Sequence, residues 1–206
     1  PIEEFYFGDA TEDGDWEWLS SRLDGPLLDV GAGTGQHALA FQSECEVVAI
    51  EQSEALVETL HERGVRDGRQ VDMFDLRETF ERDRFRSVLV NGTQVGLSRS
   101  IQGLREFLGD LAFVTGPDAT AVVDSYDPTV PETAELHGYR NDPTQGLAYR
   151  VLTFEYAGET SETLLFRLFS PDRLQAGTAG TDWTVSEIVR PEGDVERYYR
   201  AALAKA

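Results

Sequence analysis

Residues 27–35 read Leu-Leu-Asp-Val-Gly-Ala-Gly-Thr-Gly, and this stretch predicts the fold. A short apolar strand runs into three glycines at alternate positions, and a helical pattern follows. Gly31 permits a sharp exit from the strand, Gly33 lets the main chain approach a ligand without a Cβ atom, and Gly35 allows close packing where the helix begins. Open α/β sheets bind nucleotides at such a turn, where free N–H groups of a helix N-terminus face the ligand.

The segments on either side alternate between strand and helix. Ser53 is a good N-cap for the second helix, Gly64 ends that helix, and Gly116-Pro117 is expected to end the third. This rhythm indicates βαβ units and a mostly parallel sheet with helices on both faces. The predicted strands are 26–30, 47–50, 70–73, 85–90 and 119–125, and the predicted helices are 36–43, 54–63 and 101–115.

The rhythm changes after Tyr126. We predict a long loop over 127–146, and then an antiparallel hairpin, a short helix and a final strand pair whose second member could also be a helix. We find no break in composition, so we expect one domain over residues 1–206. Its predicted parts are a cap region 1–26, a ligand-binding core 27–125, an insertion 126–169 and a C-terminal unit 170–206. The predicted hairpin strands are 149–156 and 163–169, the helix starts at 170–172, and the final pair is 184–189 and 195–203.

Two acidic residues restrict the class of ligand that this turn is expected to bind. The glycine spacing is Gly-x-Gly-x-Gly, whereas dinucleotide enzymes carry their third glycine one residue later, where this chain has Gln36. Glu51 directly follows the second strand and could accept both hydroxyls of a ribose, as in dinucleotide enzymes. Asp72 follows the third strand and could accept a hydrogen bond from an adenine amino group, with the backbone or side chain of Met73 on the ring. A plain dinucleotide domain has no need of that second acid.

In order and spacing, these features resemble the class I S-adenosylmethionine-dependent methyltransferases over about residues 27–125, and the chain is similar to small, type 11-like members. The resemblance implies a Rossmann-like, doubly wound sheet of seven strands in the order 3-2-1-4-5-7-6, with the last strand antiparallel. The hairpin would be an insertion after strand five. The implied cofactor is S-adenosylmethionine, with the glycine turn at its methionine part, Glu51 on the ribose, Asp72 near the adenine and Asn91 beside the acceptor. The complete set of expected cofactor residues is Asp29, Gly31, Gly33, Gly35, Glu51, Gln52, Asp72, Met73 and Asn91.

The sequence does not identify a catalytic residue, because methyl transfer from a sulfonium mainly needs the two reactants to be positioned and water to be excluded. His37, just after the glycine turn, is a possible proton acceptor. Aromatic residues near the start could form a lid over the cofactor or a helix packed on the sheet. Those residues are Phe5, Tyr6, Phe7, Trp16 and Trp18. The candidate acceptor residues are Thr93, Gln94, Tyr126, Tyr139 and Arg140.

The expected acceptor is a small molecule. Asn91 is followed by Gly92-Thr93-Gln94, so the Asn-Pro-Pro-Tyr type motif of enzymes that methylate amino groups of DNA is absent. No basic stripe is seen that would follow a phosphate backbone, so we expect no nucleic-acid partner. The chain contains 38 acidic and 18 basic residues, for a net charge of −20. An acidic surface of this kind is typical of proteins from salt-loving organisms, although an ordinary acidic cytoplasmic protein would also fit.

The composition also excludes several classes of protein. No apolar run is long enough to cross a membrane, and no secretory signal is recognised, so we expect a cytoplasmic protein. The chain opens at Pro1 without a Met, and the sequence does not tell whether native residues precede it. Cys45 is the only cysteine, so no internal disulfide can form, and the three histidines and Cys45 have no metal-ligand spacing.

Two alternatives stay open at this point. A nicotinamide-dependent oxidoreductase would need a different glycine spacing and a motif such as Tyr-x-x-x-Lys, and Lys205 is the only lysine. A non-catalytic nucleotide-binding protein of the same fold would keep the glycine turn and lack an acceptor site. The sequence does not indicate an oligomeric state.

Overall fold

The computed structural model describes residues 7–12, 14–153, 155–156, 159–160, 163–190 and 197–206, with backbone only for residues 134–137, 155–156 and 159–160. The strands are β1 Leu27–Val30, β2 Val47–Glu51, β3 Gly68–Gln70, β4 Phe85–Val90, β5 Thr115–Tyr126, β6 Arg140–Asn141, β7 Leu147–Leu152, β8 Glu155–Tyr156, β9 Glu159–Thr160, β10 Leu164–Phe169, β11 Trp183–Val189 and β12 Tyr198–Lys205. The α-helices are α1 Trp16–Ser20, α2 Gln36–Phe41, α3 Glu54–Glu62, α4 Leu76–Thr79, α5 Ile101–Val114 and α6 Pro171–Thr178. Short 3-10 helices span Ala10–Glu12, Gln94–Ser98 and Pro131–Gly138.

The main sheet has seven strands in the order β3-β2-β1-β4-β5-β12-β11. Strands β1 to β5 are parallel, and β12 lies antiparallel between β5 and β11. The predicted order 3-2-1-4-5-7-6 is therefore confirmed. Leu28 of β1 pairs with Val48 on one side and Val88 on the other, so the strand that enters the glycine turn is central. Because β12 is antiparallel, its first residues lie at the edge where the parallel strands end.

Both faces of the sheet are buried, as the continuous apolar strands require. On one face, residues such as Leu28 pack against α4, α5 and α6, with Leu104 and Leu174 among the buried contacts. On the other face, Leu27 and its neighbours pack against α1, α2 and α3, with Phe41 in that cluster. The second face matters for the site, because Asp29 lies two residues after Leu27 and shares its face.

A small antiparallel sheet follows β5 and contains the predicted hairpin, but the first hairpin strand is Leu147–Leu152 instead of 149–156. Residues 155–156 form β8, which pairs with β9 in a separate two-stranded sheet. Strands β7 and β10 pair, and β6 adds a third strand on the other side of β7. The region predicted as a loop over 127–146 therefore also contains β6 and a 3-10 helix. This inserted sheet packs on the 3-10 helix Gln94–Ser98, where a Cβ atom on Gly96 would lie 2.6 Å from the carbonyl oxygen of Arg167 in β10.

Other predicted boundaries also differ from the structure. Strand β3 is Gly68–Gln70 instead of 70–73, with Gln70 opposite Glu51, so Asp72 does follow the strand and Met73 comes after it. Gly116-Pro117 does not separate a helix from a strand, because α5 ends at Val114 and β5 already begins at Thr115. The pairing with β4 shifts in register there, and such a bulge accommodates a proline that cannot donate to the ladder.

The final pair of the chain is two strands. Residues 198–205 pair with both β5 and β11, so the alternative interpretation of this segment as a helix is wrong. Residues 191–196, where the predicted segment begins, lie outside the described residues. Among the residues that the structure describes, no helix is long and apolar enough to cross a membrane.

Candidate functional site

The glycine turn after β1 leaves one main-chain position open. Gly31, Gly33 and Gly35 have φ angles of 67°, 57° and 83°, all in the left-handed region that favours glycine. A Cβ atom on Gly31 would lie 2.8 Å from the side chain of Gln94, and one on Gly35 would lie 2.6 Å from Leu60. A Cβ atom on Gly33 would meet nothing within 4 Å. Gly35 thus packs against α3, and Gly33 borders free space that a ligand can occupy.

The carboxylate of Glu51 adjoins this turn. Its Oε2 atom accepts a hydrogen bond from the backbone N–H of Gly33 at 3.1 Å, and Oε1 accepts one from the N–H of Gln52 at 2.9 Å. The N–H groups of Gly31 and Ala32 donate to the carbonyl of Ile50, both at 3.0 Å. Parallel pairing of β1 and β2 therefore brings the end of each strand together, and Glu51 lies beside the main chain of the turn.

Asp72 continues this acidic edge. Its Oδ2 atom accepts a hydrogen bond from the side-chain amide of Gln52 at 3.1 Å, and Oδ1 accepts one from the N–H of Phe74 at 2.9 Å. Met73 is buried in the core, which favours its backbone over its side chain for a contact with an adenine ring. Glu51, Gln52 and Asp72 thus form one connected wall.

Asp29 is a buried acid on the floor of the turn. The backbone N–H of Ala38 donates to its carboxylate, whereas the Oδ2 atom has no hydrogen-bond partner in the described part of the chain. Burial is the main cause that raises the pKa of Asp29 to about 7, while the hydrogen bond from Ala38 opposes this shift and the charge of Glu51 contributes to it. A buried acceptor atom without a partner suits a ligand that brings a donor.

His37 does not titrate near neutral pH. Burial lowers its pKa to about 4, and the positive charge of Arg200 contributes in the same direction. The imidazole is therefore neutral at pH 7, and its Nε2 atom is buried without a hydrogen bond to any described residue. It is a weak base, which does not favour the predicted role as a proton acceptor.

A buried polar network, which was not predicted from the sequence, lies beside these residues. Asp124 of β5 accepts hydrogen bonds from the N–H of Gly92 at 2.9 Å, from the N–H of Thr93 at 2.7 Å and from the hydroxyl of Tyr198 at 2.7 Å. The same hydroxyl lies 3.4 Å from the Oδ1 atom of Asn91. Asn91 is thus the one predicted cofactor residue that this network reaches.

The network extends to the N-terminal helix through Arg200. Its Nε atom donates to the hydroxyl of Tyr198 at 3.1 Å, and its Nη1 atom lies 2.7 Å from the Oδ2 atom of Asp15, which precedes α1. The Nη1 and Oδ2 atoms form an ion pair whose angles do not meet those of a hydrogen bond. Both side chains are largely buried. The sequence carries a signal for this network, since Asp124 and Arg200 each interrupt an apolar strand.

Three of the candidate acceptor residues come together next to Asn91. Thr93 is buried and hydrogen-bonds to Tyr139, whose pKa is raised by burial. The ring of Tyr126 contacts that of Tyr198 edge-to-face, with centroids 5.5 Å apart. Arg140 is exposed on β6, so the structure does not bring it into this group.

The N-terminal aromatic residues have separate roles. Trp16 packs on Phe41 with ring centroids 4.8 Å apart, and the indole N–H of Trp18 donates to Glu187 of β11 at 3.1 Å. These two contacts match a helix packed on the sheet. Phe7 lies under the guanidinium of Arg63, while Phe5 and Tyr6 lie outside the described residues.

In the described part of the chain, two cavities are lined by residues outside the glycine turn. Cavities of about 440 Å³, beside α2, and about 410 Å³, beside α5, contain none of the predicted cofactor residues in their linings. Within the described residues, no group of three or more His, Cys, Asp or Glu side chains could hold a metal ion.

Comparison with known proteins identifies the family. A family model described as a methyltransferase domain matches residues 28–109. A methyltransferase from Bacteroides fragilis, solved in complex with S-adenosylhomocysteine, is 27% identical, with 92% of this chain and 76% of that chain covered at a TM-score of 0.73. The matched residues form a methyltransferase domain of the class I, S-adenosylmethionine-dependent kind. The alternative interpretation of this methyltransferase as a nicotinamide-dependent oxidoreductase is therefore wrong.

More distant structures share the fold of this methyltransferase. The CcbJ methyltransferase from Streptomyces caelestis is 16% identical, covers 92% of this chain and 93% of its own, and has a TM-score of 0.69. A 1,6-didemethyltoxoflavin-N1-methyltransferase from Burkholderia thailandensis, solved with 1,6-didemethyltoxoflavin and S-adenosylhomocysteine, is 17% identical, with 87% and 70% covered and a TM-score of 0.59. No curated protein sequence matches the chain.

Proposed function

We propose that this methyltransferase holds S-adenosylmethionine at the glycine turn and transfers its methyl group to a small molecule beside the loop that follows β4. The observation that carries the proposal is the contact between Glu51 and Gly33, with free space over the α-carbon of Gly33. A sugar that is bound by this carboxylate would therefore lie directly beside a main chain without a Cβ atom.

Three carboxylates suit the parts of this cofactor. Glu51 uses one oxygen for Gly33 and keeps acceptor capacity for ribose hydroxyls. Asp72 at the outer end of the wall would accept from the adenine amino group. Asp29 would accept from the amino group of the methionine part with its unpartnered Oδ2 atom. Acids at all three positions also favour a cofactor that carries a net positive charge.

The chain's residues would contribute mainly orientation and exclusion of water. When bound, the cofactor supplies a methyl group on a sulfonium, which is already a good leaving group. The Oδ1 atom of Asn91 lies 3.4 Å from the hydroxyl of Tyr198, whose ring contacts Tyr126. The group formed by Thr93, Tyr126 and Tyr139 would therefore place the acceptor beside Asn91. Alignment of two reactants in this way can supply about 7–11 kcal/mol of the barrier.

A small acceptor is favoured by charge and by the fold. The net charge of −20 and the lack of a basic stripe in the sequence offer nothing for a phosphate backbone to bind. A chain of the same fold has been solved with 1,6-didemethyltoxoflavin and S-adenosylhomocysteine bound, which supports a small acceptor for this fold.

Thermal unfolding with four candidate ligands tests the cofactor. We expect S-adenosylmethionine and S-adenosylhomocysteine to stabilise the protein, by about 2.7 kcal/mol at a hundred times the dissociation constant, and NAD and NADP to have no effect. For a chain of this size the change corresponds to roughly 5–10 °C in Tm. Stabilisation by NAD alone would contradict the proposal. An acceptor panel would then be screened by S-adenosylhomocysteine release.

A further inference from the structure

The loop after β4 has an unusual backbone conformation. Gly92 has a φ angle of 81°, and Thr93 has one of 61°. Glycine adopts such angles freely, but for a β-branched residue such as threonine a positive φ is strained. Strain of this kind persists only where the surroundings hold it, and it is concentrated at functional sites.

The group that holds this loop is Asp124. Its two carboxylate oxygens accept the consecutive N–H groups of Gly92 and Thr93, at 2.9 and 2.7 Å, and the hydroxyl of Tyr198 adds a third bond at 2.7 Å. Asp124 is 2% exposed, so these charge-assisted bonds are shielded from water. Two consecutive N–H groups can both reach the carboxylate of Asp124 only because the backbone turns at Gly92 and Thr93.

The loop after β4 also packs against the glycine turn. The side chain of Gln94 lies so close to the α-carbon of Gly31 that a Cβ atom there would be 2.8 Å from it. The loop therefore lies between Asp124 on one side and Gly31 on the other. A change in the conformation of Thr93 would displace Gln94, and with it the surface that borders the turn.

We propose that Asp124 is a positioning residue of this methyltransferase, which holds the strained Thr93 conformation so that Asn91 and Gln94 keep the places that cofactor binding requires. The inference rests on the proposed function of the glycine turn. If Asp124 were unable to accept both N–H groups, Thr93 would relax to a negative φ. The fraction of binding-competent protein would then fall, and the apparent affinity would fall with it.

Isothermal titration with S-adenosylhomocysteine tests the inference in a series of variants. Asp124→Asn is nearly isosteric, but its amide nitrogen cannot accept a hydrogen bond, so one N–H group of the loop loses its partner. We expect the affinity to fall at least about tenfold, which corresponds to 1.4 kcal/mol. Thr93→Gly should rescue the Asp124→Asn variant to within about threefold of Thr93→Gly itself, because glycine needs no support at positive φ.

Thr93→Ala is the matched control, because alanine also lacks the hydroxyl yet keeps the preference for negative φ. Asp124→Asn combined with Thr93→Ala should stay weak. A purely structural Asp124 would lower Tm in all these variants without this selective rescue. Unchanged affinity in Asp124→Asn, or equal rescue by alanine and glycine, would overturn the inference.

Tyr198→Phe is the substitute variant if Asp124→Asn does not fold. It removes the hydrogen bond from the tyrosine hydroxyl to Asp124 and keeps the aromatic ring. A loss of affinity that glycine at 93 restores would support the inference, and unchanged affinity would count against it. If the wild-type protein does not bind S-adenosylhomocysteine, the proposed function fails and this inference fails with it.

Discussion

The Oε2 atom of Glu51 accepts a hydrogen bond from the backbone nitrogen of Gly33 across 3.1 Å. One residue ends the second strand, and the other lies in the turn after the first. Their contact joins the acid expected on the ribose to the position where the main chain is open. Each half of the proposed cofactor site can therefore be tested separately.

Replacement of Glu51 by alanine should weaken S-adenosylhomocysteine binding by roughly 1.5–3 kcal/mol, because charge-assisted hydrogen bonds to the ribose are lost. Titration calorimetry measures the change. Glu58→Ala, an exposed acid on α3, is the matched control and should bind as the wild type does. Equal affinity in the Glu51 and Glu58 variants would show that another residue holds the sugar.

Gly33→Ala should reduce affinity for S-adenosylhomocysteine at least about tenfold, because a methyl group then occupies the space that the ligand needs. Gly64→Ala is the control for backbone strain. Gly64 also has a positive φ, 92°, and a Cβ atom there would likewise meet nothing within 4 Å. Both variants should lose similar stability, and only the first should lose affinity. Similar affinity in the two would place the ligand away from the turn.

We expect the titration of Asp29 to lower the free energy of unfolding of the ligand-free protein as the pH rises. Its pKa is raised from 3.8 to about 7. Between these values the folded state binds more protons than the unfolded state, so this acid's contribution to stability falls from about pH 4 to pH 7. Asp29→Asn keeps an acceptor for the N–H of Ala38 and removes the titration. Its Tm relative to wild type should therefore be several degrees higher at pH 8 than at pH 5. A difference independent of pH would contradict the assignment.

Arg200→Met should destabilise the protein by about 3–5 kcal/mol, because it leaves the carboxylate of Asp15 buried without its cation. Urea unfolding of the ligand-free protein measures this. Addition of Asp15→Asn should recover part of the loss, since no unpaired charge remains. If the two substitutions are simply additive, Asp15 and Arg200 are not energetically coupled.

The conformation of the glycine turn could be predicted because its parts are local, whereas its role in holding the cofactor stays a prediction. The strand, the glycine turn and the helix N-terminus occupy ten consecutive residues, and each glycine has a conformational reason that can be inferred from spacing. The placement of Glu51 and Asp72 at one edge could also be predicted, because parallel strands end at the same edge of a sheet. The order of the seven strands, by contrast, came from the resemblance to a family, and the structure confirmed it.

The sequence by itself determined the strand–helix rhythm, the glycine turn and the two acids, all of which depend on patterns within short segments. Only the tertiary structure decided where Asp124, Tyr198, Arg200 and Asp15 lie. Antiparallel pairing sets Arg200 opposite Asp124, although 76 positions separate them along the chain. No local periodicity specifies such a pairing, because it arises from the packing of whole strands and helices around a common core.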